Sequence, residues 1–172
     1  MDEGYLGHSS CPQGDHKQQA NNYAQTRCRQ GKPEGINRKK AAKNKMEIYH
    51  MEMKTGSTLK LKGKIDGDAS WFSINLGSGP GDLALHFNPR FEENVIVCNS
   101  QNGGTWEQEH RDDHMCFRPG MEIKLIMTFE EDEFQVKLPD GHQVKFPNRG
   151  RHSHLPYFCV KGGIHLTSFK LE

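Results

Sequence analysis

The sequence predicts an antiparallel β-sandwich or barrel for residues 46–172, on three observations. Apolar residues recur at every second position through most of this stretch. No segment of it carries the 3.6-residue periodicity and capping residues of a helix. Its apolar runs are short and separated by clusters of Gly, Pro, Asn and Asp, the spacing expected of many short strands joined by turns.

The elements follow in order. A first strand is expected over 47–53. In 57–65, Leu59, Leu61 and Ile65 alternate with Lys60, Lys62 and Lys64, which describes a half-buried strand with one wet face. A strand over 71–76 runs into residues 77–81, a Gly-rich turn without the Lys-Ser/Thr ending of a phosphate loop. Strands over 83–90 and 95–99 come next. Pro89 has no N–H to give a ladder, so the first of these is expected to end or bulge there. Asn102-Gly103-Gly104 makes a turn before a strand over 106–111. Residues 121–129 alternate again, and Phe134, Val136 and Leu138 lead into Pro139-Asp140-Gly141, where Pro presets φ and Gly accepts positive φ. Val144 and Phe146 return, giving a hairpin. Strands over 156–160 and 164–171 complete the domain.

Residues 1–45 differ in kind. They hold nine Lys or Arg against four Asp or Glu, a net of +5, while residues 46–172 hold 14 against 18, a net of −4. Every Phe, Trp and Val lies after residue 45, and the large apolar residues before it are Met1, Tyr5, Leu6, Tyr23 and Ile36. Five such side chains do not offset about 1–2 kcal/mol of ordering entropy per residue, so a disordered basic N-terminal extension is expected. Its cluster at residues 37–45 reads as a solvated linker. The acidic balance of 46–172 gives no nucleic-acid footprint to the domain. No apolar run reaches the roughly 18 residues of a membrane span, and no secretory signal is visible, so a cytoplasmic protein is expected.

The five cysteines, at 11, 28, 98, 116 and 159, are odd in number and form no Cys-x-x-Cys pair, so free thiols are expected. His110, Asp112, Asp113 and His114, or His152 with His154, match no closed zinc spacing and read as polar loop positions. No metal or cofactor is expected.

The informative segment is 85–111. Leu85, Phe87 and Phe91 share one parity; His86, Asn88 and Arg90 share the other. At about 3.3 Å per residue, His86 to Arg90 spans roughly 13 Å of sheet face. Asn99 has the parity of Val95 and Val97, with Cys98 opposed, and Glu109 shares a face with Arg111. Short connections make these three strands neighbours. One face then carries His86, Asn88, Arg90, Asn99, Glu109 and Arg111, with Trp106 at its edge. Such a face is often a solvated array of cross-strand pairs. Here, rigid donors and acceptors beside a broad indole suit a sugar, whose hydroxyls meet the polar groups while a C–H-rich ring face meets the Trp.

These residues resemble the motif of the galectin family of β-galactoside-binding lectins: His-x-Asn-x-Arg at His86-Phe87-Asn88-Pro89-Arg90, Val-x-Asn at Val97-Cys98-Asn99, and Trp-x-x-Glu-x-Arg from Trp106 to Arg111. The resemblance extends over essentially all of 46–172, including Leu138-Pro139-Asp140-Gly141 and Phe146-Pro147-Asn148-Arg149. The short connection at 91–94 and the start at 53–57 point to one single-domain, prototype-type subgroup. The resemblance implies an all-β, two-sheet antiparallel jelly-roll of the galectin and legume-lectin kind, with a shallow groove on one sheet. It implies that His86, Asn88 and Arg90 hold the axial 4-hydroxyl of galactose and that Asn99 reaches the 6-hydroxyl. Trp106 would stack on the free ring face, and Glu109 and Arg111 would hold the next sugar of a lactose- or N-acetyllactosamine-type glycan, all without metal. It also implies pairing into a homodimer through the terminal strands, near 47–53 and 164–171, where an edge exposing Ile164 and Leu166 would suit a two-fold contact. Partners would be β-galactoside-bearing glycoproteins, reached by export independent of a signal peptide. Two other readings stand beside the lectin: a protein-interaction module on the same fold with the groove unused, and a glycosidase, which needs a pair of carboxylates where only Glu109 is placed.

Overall fold

A computed structural model describes residues 44–172. Residues 1–43 of the extension expected to be disordered, with most of its basic cluster, lie outside the described residues, and Lys45 at its end opens the first strand. Fourteen strands and no helix are found among the described residues. They are β1 (Lys45–Ile48), β2 (Met53–Lys54), β3 (Thr58–Ile65), β4 (Phe72–Gly79), β5 (Asp82–Arg90), β6 (Val95–Asn102), β7 (Thr105–Trp106), β8 (His110–Asp112), β9 (Glu122–Phe129), β10 (Glu133–Lys137), β11 (Gln143–Pro147), β12 (His154–Leu155), β13 (Tyr157–Gly162) and β14 (Ile164–Leu171).

Two antiparallel sheets form the sandwich. One runs β1-β13-β4-β5-β6, with β7 and β8 both paired to β6; the other runs β11-β10-β9-β3-β14. Period-two alternation explains the core between them. Leu59, Leu61 and Ile65 of β3, Ile123, Leu125 and Met127 of β9, and Phe134 and Val136 of β10 meet Phe72, Ile74, Leu76, Leu85, Phe87, Ile96 and Phe158 of the facing sheet, all buried. Cys98 is fully buried in this core, as its parity requires. The hairpin at Pro139-Asp140-Gly141 forms as expected: Phe134 stands opposite Phe146, Gly141 takes φ 90°, and Leu138 N donates to His142 O.

Four local expectations change. The strand expected over 47–53 divides into β1 and β2, because His50 takes a positive φ of 60° between them and β2 pairs instead with β12 in a separate two-stranded ribbon. The strand expected over 106–111 divides into β7 and β8, with residues 107–109 standing off the sheet between them. β5 neither ends nor bulges at Pro89: Asn88, Pro89 and Arg90 stay in register with Val97, Ile96 and Val95, and the register shifts fall near Leu83. The expected dimer edge also behaves differently. Ile164 is only 2 % exposed and Leu166 is half-buried, because both turn inward against the core. Gly162, at φ 93°, makes the passage from β13 in one sheet to β14 in the other. A Cβ there would lie 2.7 Å from the Trp71 carbonyl.

Candidate functional site

Alternation along β5 puts His86, Asn88 and Arg90 on the outer face of the larger sheet. The β5–β6 register then sets His86 opposite Asn99, Asn88 opposite Val97 and Arg90 opposite Val95. β8 adds Arg111 opposite Val97. Trp106 arrives by a tight hairpin whose two central residues, Gly103 and Gly104, have φ of 55° and 82°, the pair of positive values a two-residue turn of this hand requires. Asp82 Oδ1 accepts from Gly103 N at 2.7 Å and ties the turn to β5. The indole, 48 % exposed, sits 4.7 Å from the His86 ring.

The break expected at Pro89 is absent, and Asn88 supplies the missing donor. Phe91 N donates to Ser70 O, and the same antiparallel register places the Phe72 carbonyl opposite the nitrogen of Pro89, which has no hydrogen. Asn88 Nδ2 donates to that carbonyl at 2.7 Å. This fixes the amide: Oδ1 faces the groove side and accepts from Arg90 Nε at 2.8 Å. Asn88 is thus a buried spacer that aims the Arg90 guanidinium.

His86 is oriented in the same way by a residue the sequence reading did not single out. Asn75 on β4 donates from Nδ2 to Cys159 O and Ser73 Oγ, so its Oδ1 is turned to His86 Nδ1, 2.6 Å away. An acceptor there requires the hydrogen on Nδ1, which leaves Nε2 as a free acceptor on the neutral ring. Burial, and then the nearby Arg90 guanidinium, push the His86 pKa down to about 4. The imidazole is therefore neutral at ordinary pH.

Arg90 and Arg111 belong to a closed ring of alternating charge. Glu109 accepts from Arg90 at 3.3 Å and from Arg111 Nε at 2.9 Å; Glu93 accepts from the same two guanidinia at 3.1 and 2.9 Å. Glu93 lies in the β5–β6 turn beside Asn94, whose φ is 52°. Arg111 and Arg90 hold the Glu93 carboxyl below the usual range. Exposed pairs of this kind add little to stability. Their effect is to fix two flexible side chains in one geometry, which lowers the entropy cost of binding.

Arg149, from the segment after β11, reaches across to the same site. It donates to Gln108 O at 2.8 Å, Ser100 Oγ at 3.1 Å and Asn99 Oδ1 at 3.3 Å, with its guanidinium 4.8 Å over the Phe146 ring. Asn99 Nδ2 in turn donates to Glu107 O at 2.9 Å, and Glu107 bonds Ser100 through its carboxylate. These contacts hold residues 107–109 off the sheet and complete one wall.

The result is an open groove of about 340 Å³ lined by His86, Arg90, Val97, Asn99, Trp106, Glu107 and Glu109. Six of the eight residues singled out in the sequence line it directly. Asn88 lies beneath it, and Arg111 stands behind Glu109. Glu107, Asn75, Glu93 and Arg149 were not foreseen. The Ser73/Asn75 alternation with Phe72, Ile74 and Leu76 was the one signal available for any of them. Glu107 brings a second carboxylate to the groove, where the glycosidase reading counted one. Each is already bonded: Glu107 to Ser100, and Glu109 to both guanidinia. Among the described residues, no group of three or more His, Cys, Asp or Glu is placed to hold a metal ion.

Comparison with known proteins agrees with this geometry. Residues 44–171 match the galactoside-binding lectin family. Galectin-2 of Sus scrofa is 62 % identical over 120 residues, covering 70 % of this chain and 98 % of the relative. Galectin-2 of Homo sapiens is 57 % identical over 127 residues, 74 % of this chain and 96 % of the relative. The crystal structure of chicken galectin 2 superposes with a TM-score of 0.73 at 52 % identity, covering 73 % of this chain and 97 % of that one. CG-16, a homodimeric agglutinin from chicken liver, gives 0.72 at 34 % identity, covering 75 % and 100 %. The subgroup to which the 91–94 connection points is the galectin-2 group, in agreement with these relatives. On the match over 44–171 and the sandwich that carries it, this chain belongs to the galactoside-binding lectins, the galectin family.

Proposed function

We propose that the chain binds β-galactosides of the lactose and N-acetyllactosamine type in this groove, without metal and without catalysis. The observation that carries the reading is the pre-oriented set of His86, Arg90 and Asn99 beside a half-exposed Trp106. His86 Nε2 accepts from a sugar hydroxyl and Arg90 donates to it. A galactose 4-hydroxyl, axial on its ring, offers both functions while leaving the opposite ring face to the indole. An equatorial epimer leaves these desolvated groups unpaired, at about 1–3 kcal/mol each. Glu109 and Arg111, locked by Glu93, hold the adjoining sugar. Carboxylates committed to guanidinia and hydroxyls support binding rather than general acid–base work.

Calorimetry with lactose tests this. An open groove predicts a Kd of about 10 µM to 1 mM, unchanged by EDTA. The absence of heat at millimolar lactose would leave the interaction-module reading. The same titration has a pH signature. Because the folded His86 titrates near 4, affinity stays level through neutral and mildly acid pH and falls only as pH approaches that value. Folding responds earlier: the unfolded chain takes up a proton near 6.5, so the stability from burying neutral His86 is full above that pH and is lost as pH falls toward 4. An NMR titration of the ring with a midpoint near 6.5 would contradict the assignment.

Weak single-site affinity gains strength from pairing. Among the described residues, β1 and β14 are terminal strands of their sheets, each with one unpaired edge. Met46 and Tyr49, not Ile164 and Leu166, are the large apolar side chains exposed beside them. A homodimer through these edges is the assembly that this arrangement and the homodimeric CG-16 support.

A further inference from the structure

The outer face of the second sheet, opposite the groove, is unusually basic. On β3, Leu59, Leu61 and Ile65 turn inward, so Lys60, Lys62 and Lys64 must turn outward. The register sets Lys62 opposite Lys124, and puts Lys60 in line with Lys170 on one side and with Ile126 and Lys137 on the other. Seven of the nine lysines after residue 45 face outward from this one sheet, counting Lys145, although the net charge of residues 46–172 is −4. Like charges directly opposite across strands are destabilising, so the Lys62–Lys124 pair is a cost the fold carries.

Part of this charge is answered and part is not. Glu172 takes both Lys60 and Lys170, at 2.7 and 2.6 Å, and Glu133 takes Lys145 at 3.4 Å. Lys62, Lys124 and Lys137 have no ion-pair partner among the described residues, and all three are exposed. A shallow depression of about 390 Å³ lies between Lys124 and Lys137, with Ile126 and Pro139 in its lining. Acidic residues stand around the band: Glu122 opposite Lys64, Glu133 and Glu172 on its other sides, and Asp140 in the lining of the depression, where its carboxylate bonds His114.

We propose that Lys62, Lys124 and Lys137 form a docking face for a sulfated polysaccharide chain. From the strand and residue spacings, Lys62, Lys124 and Lys137 span about 10 Å across the strands and about 7 Å along them. That fits one extended chain carrying anionic groups along both edges, with half-buried Ile126 under a sugar ring. A flat anionic bilayer, or a broad nucleic-acid duplex, would lie over Glu122, Glu133, Glu172 and Asp140 all at once, whereas a single chain passes between them. A second copy would oppose lysine to lysine. Residues 1–45, at a net of +5, carry the same sign as the band.

The test titrates the full chain with a heparin octasaccharide at about 50 mM and about 200 mM salt, following amide shifts by NMR. Binding at the lower salt is expected to shift β3, β9 and β10, and to weaken by about tenfold at the higher, as released counterions compete. Lys62→Gln/Lys124→Gln is expected to reduce heparin affinity about tenfold, leave lactose affinity within twofold, and keep or raise the thermal midpoint, since a like-charge pair is removed. Because lactose is read separately, failure of the galactoside reading is distinguishable from failure of this one. Four results would overturn the proposal: no heparin binding at the lower salt, unchanged binding by the double variant, displacement of heparin by lactose, or tighter binding to phosphatidylserine vesicles or a DNA duplex than to heparin.

Discussion

Trp106→Ala is expected to abolish lactose heats while leaving the unfolding transition within about 0.5 kcal/mol of the parent. The indole is 48 % exposed on a two-residue edge strand, so the fold loses little with it. The groove loses its one broad apolar wall. If stacking of a sugar ring supplies about 2–3 kcal/mol, by analogy with other aromatic platforms, removing it weakens binding by about 30- to 150-fold. A site of micromolar to millimolar affinity then falls outside calorimetric range. Trp106→Phe, with a smaller face, is expected to keep measurable but weaker binding. Retention of the parent affinity by Trp106→Ala would place the sugar elsewhere on the molecule.

Phe72→Ala is expected to give the largest stability loss, about 3–5 kcal/mol, and to weaken sugar binding as a consequence. Phe72 is fully buried, meets Phe117 edge-on at 5.5 Å and lies against Phe91 at 6.3 Å. Its backbone carbonyl also holds Asn88, which aims Arg90. A cavity at the start of β4 loosens the strand that orients the groove. Urea unfolding should show a lower midpoint with an unchanged slope. Lactose at ten times its Kd should restore about 1.4 kcal/mol to either protein. A loss below about 1 kcal/mol would mean that the aromatic cluster recloses around the smaller side chain. Parent-like affinity in the destabilised variant would separate the Phe72 carbonyl from the Phe72 ring.

Much of the groove is legible in residues 85–111, since alternation assigns a face to each side chain using only its nearest neighbours in sequence. His86, Asn88, Arg90, Val97 and Asn99 occupy the face their parity requires, and Cys98 the opposite one. The same logic misplaces less regular features. Pro89 looks like a strand terminator, but the bond from Asn88 to a carbonyl on β4, sixteen residues earlier, satisfies the group that the missing N–H would have left unpaired. Ile164 and Leu166 look like an exposed edge, yet the turn at Gly162 starts β14 with both facing the core, and the bulge after Leu166 returns Phe169 and Leu171 to the same side.

Sequence alone determined the sandwich, the turn at Gly103-Gly104, and the outward set of polar residues on β5, because each of these depends on local φ/ψ preference and on a two-residue period. Tertiary structure decided how those residues are held. Asn75 comes to His86 from β4, and Arg149 comes to Asn99 from beyond β11, fifty residues away. Glu93 closes the arginine ring from a turn. The register between strands distant in sequence is set by how two apolar faces interlock, and a hydrogen bond depends on a few tenths of an ångström in that fit. Alternation carries the first kind of information, and only the packed pair of sheets carries the second.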